Sequence, residues 1–426
     1  MQFTSLQSVR RGRDSLVFCL LTLSMLAIAP GRPALAADDS AAVYGEIHAL
    51  SDGIDRELRT GHDALQPLTD AMSGYFEFKQ ELSAQGFNYM IEISPQFQWD
   101  LDDGDYHGNN ETNLIAQFSP FDPANPKSGT LMGWYQFANT LGSESTSEFN
   151  DNVGVISPLN GGDTGSNSSN KLWQMFAWEQ WFANQRLRVG AGKLTTRTFL
   201  NLNRYAVSDR EDFFTPVIVN NPVSPFSARN GMGVFGQYFF DEFYVTGMIR
   251  EADGTSTDVS FDTLDSGKWE HALEFALTPK NLAGWGQGYY RFTFYRTDAF
   301  GEGGARSPSG NSYALSFDQD VHDDYGLLFR YAYANEDFRA FSERVVIGAQ
   351  RKNPLGFKYD RIGLAGWWAD PTDSSLSAEK GLEAFWKAQL APFLEVSANL
   401  QWILNPQLDQ DLDNAFVAGL RLRVVL

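Results

Sequence analysis

Between Gly86 and Leu101 the chain reads GFNYMIEISPQFQWDL, and its side chains sort by parity. Odd positions carry Phe87, Tyr89, Ile91, Ile93, Pro95, Phe97, Trp99 and Leu101; even positions carry Asn88, Met90, Glu92, Ser94, Gln96, Gln98 and Asp100. Successive side chains of a strand point to opposite faces, so this is one extended strand with an apolar face and a polar one. Its length is the constraint. Strands of soluble sheets usually span about 5–6 residues, whereas a tilted strand crossing a bilayer needs about 9–11.

The same period recurs to the last residue. Leu394, Val396, Ala398, Leu400, Trp402 and Leu404 alternate with Glu395, Ser397, Asn399 and Gln401, and Phe416 to Leu426 alternates with Arg421 and Arg423. The pattern predicts sixteen strands: 86–101, 111–118, 129–138, 171–183, 185–195, 231–240, 242–252, 268–279, 286–297, 311–319, 324–335, 342–351, 359–369, 381–391, 393–404 and 413–426. Segment 111–118 carries the weakest alternation. An even number returns both sheet ends to one side. Short turns at Asn184, Asp241, 320–323 and Pro392 then fall on that side, and the long connections 139–170, 196–230, 253–267, 298–310, 370–380 and 405–412 fall on the other. Transmembrane barrels show this asymmetry. Residues 74–84 (GYFEFKQELSA) alternate weakly but would make an odd seventeenth strand, so they read as a partly helical lead-in to the barrel.

An unpaired sheet edge is intolerable in hydrocarbon, so sixteen such strands must close into an all-β transmembrane barrel spanning 74–426. Closure also explains a mean hydropathy of −0.32 in a membrane protein, because half of each strand faces the lumen. Aromatics near strand ends, among them Trp99, Trp368 and Trp402, suit interfacial girdles. About sixteen strands leave an aqueous channel, which makes a pore the expected function.

The N-terminus fits export. Arg10, Arg11 and Arg13 precede an apolar run from Leu16 to Ala29, and Ala34-Leu35-Ala36 offers a small-residue cleavage site, so 1–36 is expected to be a signal peptide. Its removal takes four arginines and one aspartate, and the net charge of −20 becomes −23. Such a chain does not bind nucleic acid through a basic patch. The single cysteine, Cys19, lies within the signal, leaving no disulfide or thiol nucleophile after cleavage. In 37–73, Val43, Ile47, Leu50, Ile54 and Leu58 recur at helical spacing, continued by Leu65, Leu68 and Met72; this reads as an amphipathic helix that caps the barrel, plugs it or contacts another copy.

The run GLEAFWKAQLAPFLEVSANLQWILNPQLDQDLDNAFVAGLRLRVVL resembles the closing hairpin of the carbohydrate-selective outer-membrane porins of the OprB type, through Gly381, Glu383, Phe385, Trp386, Leu400-Gln401-Trp402, Asn405-Pro406 and Gly419-Leu420-Arg421. FKQELSAQGFNYMIEI is similar to that family's lead-in to its first strand, and LRVGAGKLTTRTFLNLNRYAV is a third similar patch. The chain departs from such barrels by ending in Leu426, where they usually end in Phe or Trp. The resemblance implies a 16-stranded porin in the outer membrane of a Gram-negative bacterium that admits glucose-like sugars by diffusion. It also implies outer-membrane lipid and the barrel-assembly machinery as partners, with monomer and trimer both open, and no cofactor.

Gly190-Ala191-Gly192-Lys193-Leu194 lacks the first glycine and the Ser/Thr of a phosphate loop and continues a strand. The acidic runs 100–105 and 409–413 offer oxygens for calcium but lack EF-hand spacing, and read first as solvated loops. No metal site is expected. The five histidines are scattered, and no nucleophile-base pair is visible. Sugar selection needs stacking surfaces and bidentate partners for hydroxyls, and the long loop 196–230 supplies Arg197, Arg204, Tyr205, Arg210, Glu211, Asp212, Phe213, Phe214 and Arg229. Folded inward, it would form a constriction facing Lys193, Arg291, Arg330, Arg421 and Arg423; the competing reading is that each basic group only pairs with lumen carboxylates such as Glu179, Glu270 and Glu274. The expected function is therefore sugar diffusion through a constricted pore. The alternatives are a porin for anionic sugar acids, a barrel enzyme acting on lipid or lipopolysaccharide, and a soluble β-rich carbohydrate-binding protein.

Overall fold

A computed structural model describes residues 62–161, 169–221, 223–224, 230–301, 307–322, 324–409 and 411–426. Its strands are β1 (Phe87–Asp100), β2 (Tyr106–Phe118), β3 (Thr130–Thr140), β4 (Ser169–Phe182), β5 (Leu187–Leu194), β6 (Gly231–Phe239), β7 (Phe243–Glu251) and β8 (Trp269–Leu277), followed by β9 (Gly288–Thr297), β10 (Gly310–Asp320), β11 (Tyr325–Ala334), β12 (Phe341–Lys352), β13 (Arg361–Pro371), β14 (Glu379–Ala391), β15 (Leu394–Leu404) and β16 (Asn414–Val425). Each pairs antiparallel with its sequence neighbours, and β16 closes onto β1 with Phe97 opposite Leu420. All sixteen expected strands are present. No helix among the described residues is long and apolar enough to cross a membrane.

The two faces follow the expected parity. Phe97, Trp99, Phe275, Leu400 and Leu420 are exposed on the outer wall, while Gln98, Glu274, Gln401 and Arg421 are buried inside. Strand β2 begins five residues earlier than its pattern indicates, because outward alternation fails at Gly108. A Cβ there would lie 2.8 Å from the Phe97 ring, so the neighbouring strand's aromatic covers the position that β2 leaves bare.

Both barrel ends, Phe87 and Val425, lie on one side, here the terminal side; the other is the loop side. The connections 119–129 and 278–287 on the terminal side are longer than tight turns, and 101–105 on the loop side is short. The asymmetry therefore rests on three long loop-side segments, 141–168, 195–230 and 252–268.

Residues 1–36 and most of 37–73 lie outside the described residues; what is described begins at His62. Two helices follow, α1 (Gln66–Ala71) and α2 (Ser73–Ala84), so the weakly alternating stretch 74–84 is helical. Gly86, with φ of 84°, turns the chain from α2 into β1. The segment follows the terminal rim: His62 stacks on Phe357 at 4.7 Å, Phe76 meets Phe393 at 6.4 Å, and Tyr89 donates to the Tyr75 hydroxyl at 3.1 Å.

Leu400 sits mid-strand on the outer face of β15. Leu400→Arg is expected to destabilise the barrel by about 2–4 kcal/mol in urea titrations of folding into lipid vesicles, the cost of a basic group at the bilayer midplane. A loss no larger than a rim substitution produces would mean that this face does not meet hydrocarbon.

Candidate functional site

Residues 195–221 of the loop after β5 fold into the barrel. Phe199, Tyr205, Phe213, Val217, Ile218 and Val219 are all buried, and they join Phe149, Val153 and Leu159 of segment 141–160 and wall residues Trp134, Met175, Phe235, Trp367 and Phe385 in one apolar cluster inside the wall. Each inward segment carries one helix: α3 (Thr146–Val153) and α4 (Pro216–Val219). Helix α3 starts at a capping box, with the Ser145 hydroxyl accepting from the Glu148 N–H while the Glu148 carboxylate accepts from the Ser145 N–H, and it ends at Gly154 in the left-handed region. The lumen is thus narrower than sixteen strands alone would leave.

Irregular backbone cannot be buried without partners, and the barrel wall provides them. The Glu383 carboxylate accepts from the N–H of Phe214 (2.6 Å) and Thr215 (3.0 Å), and four residues along β14 Glu379 accepts from Ile156 (3.1 Å) and Ser157 (2.7 Å). Gln98 and Gln401 donate to the Leu159 carbonyl at 3.0 and 2.8 Å. Arg421 donates to the carbonyls of Asp209 and, at 2.9 Å, Asp212. Glu274 receives the Asn201 N–H at 2.6 Å, and Gln350 donates to the Tyr205 carbonyl at 2.7 Å.

A charged collar occupies the terminal half of the lumen. Arg204 reaches Asp318 (2.5 Å) and Asp320 (3.0 Å), and its guanidinium lies 4.8 Å from the Tyr289 ring. Tyr205 donates to Asp320, and its ring occupies the place where Gly326 lacks a Cβ; one there would lie 1.8 Å from the ring. Burial opposes the charge on Arg204, but Asp318 and Asp320 outweigh it and hold the guanidinium protonated above its ordinary range. Burial likewise pushes the Tyr205 phenol up, so it remains a neutral donor. Across the lumen, Arg210 meets Glu111 (2.9 Å) and Glu92 (3.2 Å), and Arg423 meets Glu92 (2.8 Å), Glu395 (2.9 Å) and Glu211 (3.1 Å). Side chains that stay in contact with water are Lys352 (34%), Asp320 (20%), Glu211 (19%) and Arg204 (13%).

The structure draws Arg204, Tyr205, Arg210, Glu211, Asp212, Arg421 and Arg423 into the lumen, with Arg197 half-buried nearby. Arg421 and Asp212 are buried behind the collar. Lys193 departs from simple parity: Gly192, at φ of 141°, interrupts the alternation of β5, and the Lys193 ammonium is buried, donating to the carbonyls of Asn230 (2.7 Å) and Thr255. Arg229 lies outside the described residues. Arg291 pairs with Asp318 at 2.7 Å, whereas Arg330 and Arg421 donate to backbone carbonyls. Sequence reasoning missed the carboxylates Asp318, Asp320, Glu379 and Glu383 and the whole of segment 141–160, which Ser145-x-x-Glu148 followed by Gly154 could have marked as a helix. No group of three or more His, Cys, Asp or Glu residues is placed to hold a metal among the described residues.

Glu383→Ala leaves the buried N–H groups of Phe214 and Thr215 without an acceptor, at about 1–3 kcal/mol each. The variant is expected to melt lower in detergent than Glu383→Gln, which keeps one oxygen, and to become cleavable by trypsin at Arg210. Equal melting of the two variants with Arg210 still resistant would show that Glu383 does not fix this segment.

Comparison with known proteins agrees with this architecture. Residues 288–426 match the family described as carbohydrate-selective porin, OprB family. The high-pH structure of Pseudomonas putida OprB superposes with a TM-score of 0.70 at 15% identity, covering 83% of this chain and 97% of that one. The low-pH structure of the same protein gives 0.55 at 14% identity, covering 83% and 96%. No curated protein matches the sequence. The chain is a closed 16-stranded antiparallel barrel with the fold of that porin, and its last third, residues 288–426, matches the family described as carbohydrate-selective porin, OprB family.

Proposed function

We propose that the chain is a passive outer-membrane porin through which small uncharged carbohydrates diffuse, binding weakly at the collar of Arg204, Glu211, Asp320 and Lys352. The observation that carries this reading is the pairing of charge at the collar. There six cations (Arg204, Arg210, Arg291, Arg423, Lys352 and Lys387) meet seven carboxylates (Glu92, Glu111, Asp209, Glu211, Asp318, Asp320 and Glu395), so the passage presents many donors and acceptors with little net field. Such a surface exchanges hydrogen bonds with hydroxyls while giving neither cations nor anions a strong advantage. The family description of residues 288–426 names the same solute class. Glucose-like sugars are the proposed solutes; sugar acids are the second choice, because the cations that would attract them are already matched. The proteins it resembles are channels, and the enzyme reading is not carried forward.

The inward segments give the mechanism. They fill much of the lumen, and at the collar, where side chains stay exposed to water, a sugar sheds part of its own hydration and regains hydrogen bonds from fixed partners. With the loop side outward, the collar lies in the periplasmic half. No step consumes energy, so the flux follows the concentration gradient.

In planar bilayers the protein is expected to conduct, and glucose is expected to reduce the current in a saturable way. Arg204→Ala should raise the half-blocking glucose concentration by about tenfold, as the loss of one charge-assisted hydrogen bond worth about 1.5 kcal/mol would. Absence of any conductance would sink the pore reading, and an unchanged block would remove Arg204 from the sugar site.

A further inference from the structure

We propose that the barrel also holds a buried binding site for a small inorganic anion of halide size, formed by Arg330 of β11, Arg344 of β12 and Asn221 of the inward segment. The two arginines are 3% and 0% exposed. Arg344 Nη1 donates to the carbonyls of Val217 and Asn220, and Arg330 Nη1 donates to those of Ile218 (3.2 Å) and Val219. Four successive carbonyls of one helical turn therefore bring the two guanidiniums side by side. Strand register agrees, since Arg344 sits opposite Ala332, two residues along β11 from Arg330.

Four other buried lumen arginines have carboxylates, Arg188 with Glu179, Arg250 with Glu270, Arg291 with Asp318 and Arg423 with Glu395, while Arg421 grips single carbonyls far from this pair along the chain. Among the described residues, Arg330 and Arg344 make no ion pair. A guanidinium stays charged in any protein setting, and two such charges buried together without a counter-charge are costly. The carbonyl end of α4 offsets part of that charge by its dipole.

Donors aimed at no acceptor mark the place. Arg344 Nε and Nη2 and Arg330 Nε are all buried without a hydrogen-bond partner, and so is the hydroxyl of Ser312, which lies opposite Ala334 of β11 and Tyr295 of β9; Asn221 Nδ2, near the Tyr295 phenol, makes no hydrogen bond of ordinary geometry. Four N–H donors and no free carboxylate call for a species that only accepts and that cancels charge. Enclosure sets its size. Ala314, Ala332, Ala334 and Val346 line this stretch of wall, and α4 covers it with Val217, Ile218 and Val219, all buried, so a solute as large as a sugar acid does not fit. The anion would fix the loop-side part of the inward segment independently of the sugar collar.

The test is an anomalous-scattering map of the wild-type barrel purified and crystallised in sodium bromide. A bromide peak against Arg344 Nη2 and Asn221 Nδ2 is expected, and Arg344→Met should abolish that peak while sparing any others. Ordered water there without anomalous signal overturns the proposal. So do peaks confined to outer arginines such as Arg296, an adventitious ion only, or a peak that survives Arg344→Met. Should that variant fail to fold, the wild-type map decides alone, and the glucose block of the channel is read separately.

Discussion

Every buried backbone N–H and C=O needs a partner, and that requirement acts twice in this molecule. In the wall it closes the sheet, because hydrocarbon offers no water to a free edge and β16 must return to β1. Inside, it governs two long irregular segments that have entered the lumen with little secondary structure of their own. Their backbone groups are satisfied by side chains of the wall: carboxylates of β14 for N–H groups, guanidiniums of β11, β12 and β16 for carbonyls. Much of the polar inner face is therefore committed to holding protein in place, and a smaller part is left to meet solute.

That division separates two kinds of buried arginine. Those paired with carboxylates, such as Arg250 and Arg291, brace the wall. Those that grip carbonyls, Arg330, Arg344 and Arg421, use a rigid planar fork to reach two or three oxygens at once, a task for which a lysine ammonium is poorly shaped. The first kind is electrically neutral as a pair; the second keeps its charge. A lumen built from both can be densely basic in composition and still offer the passing solute a nearly balanced collar.

The architecture was legible because the bilayer imposes a period of two over long stretches. The parity of Gly86–Leu101 placed Trp99 outside and Gln98 inside, and the even count separated α2 from the strands that follow it. β2 was hardest to bound, since Gly108 relies on Phe97 of the next strand and so carries no signal in its own segment. The site was legible only in part. Composition pointed to loop 196–230 as rich in arginine and aromatics, but its partners lie far off in sequence: Glu383 meets Phe214 across 169 positions, and Asp320 meets Arg204 across 116. A single glycine, Gly192, breaks the pleat of β5 and brings Lys193 to the inner side, where its ammonium meets the carbonyls of Asn230 and Thr255, because parity arguments hold only while the pleat is unbroken.

Strand β14 shows how the three levels of the lumen are tied together. Its inward residues at every fourth position are Glu379, Glu383 and Lys387, separated by Gly381 and Phe385. The first carboxylate holds segment 141–160, the second holds the turn into α4, and the ammonium joins the network of Glu395 and Arg423 at the collar. The residues between them are packing devices: Trp367 lies against the bare face of Gly381, and Phe385 meets Phe213 edge-on at 4.8 Å. Because strand rise is fixed at about 3.3 Å per residue, the spacing of these three charged groups sets the vertical separation of the two inward segments and the collar. The position of the constriction is thus encoded in the wall as much as in the loop that forms it.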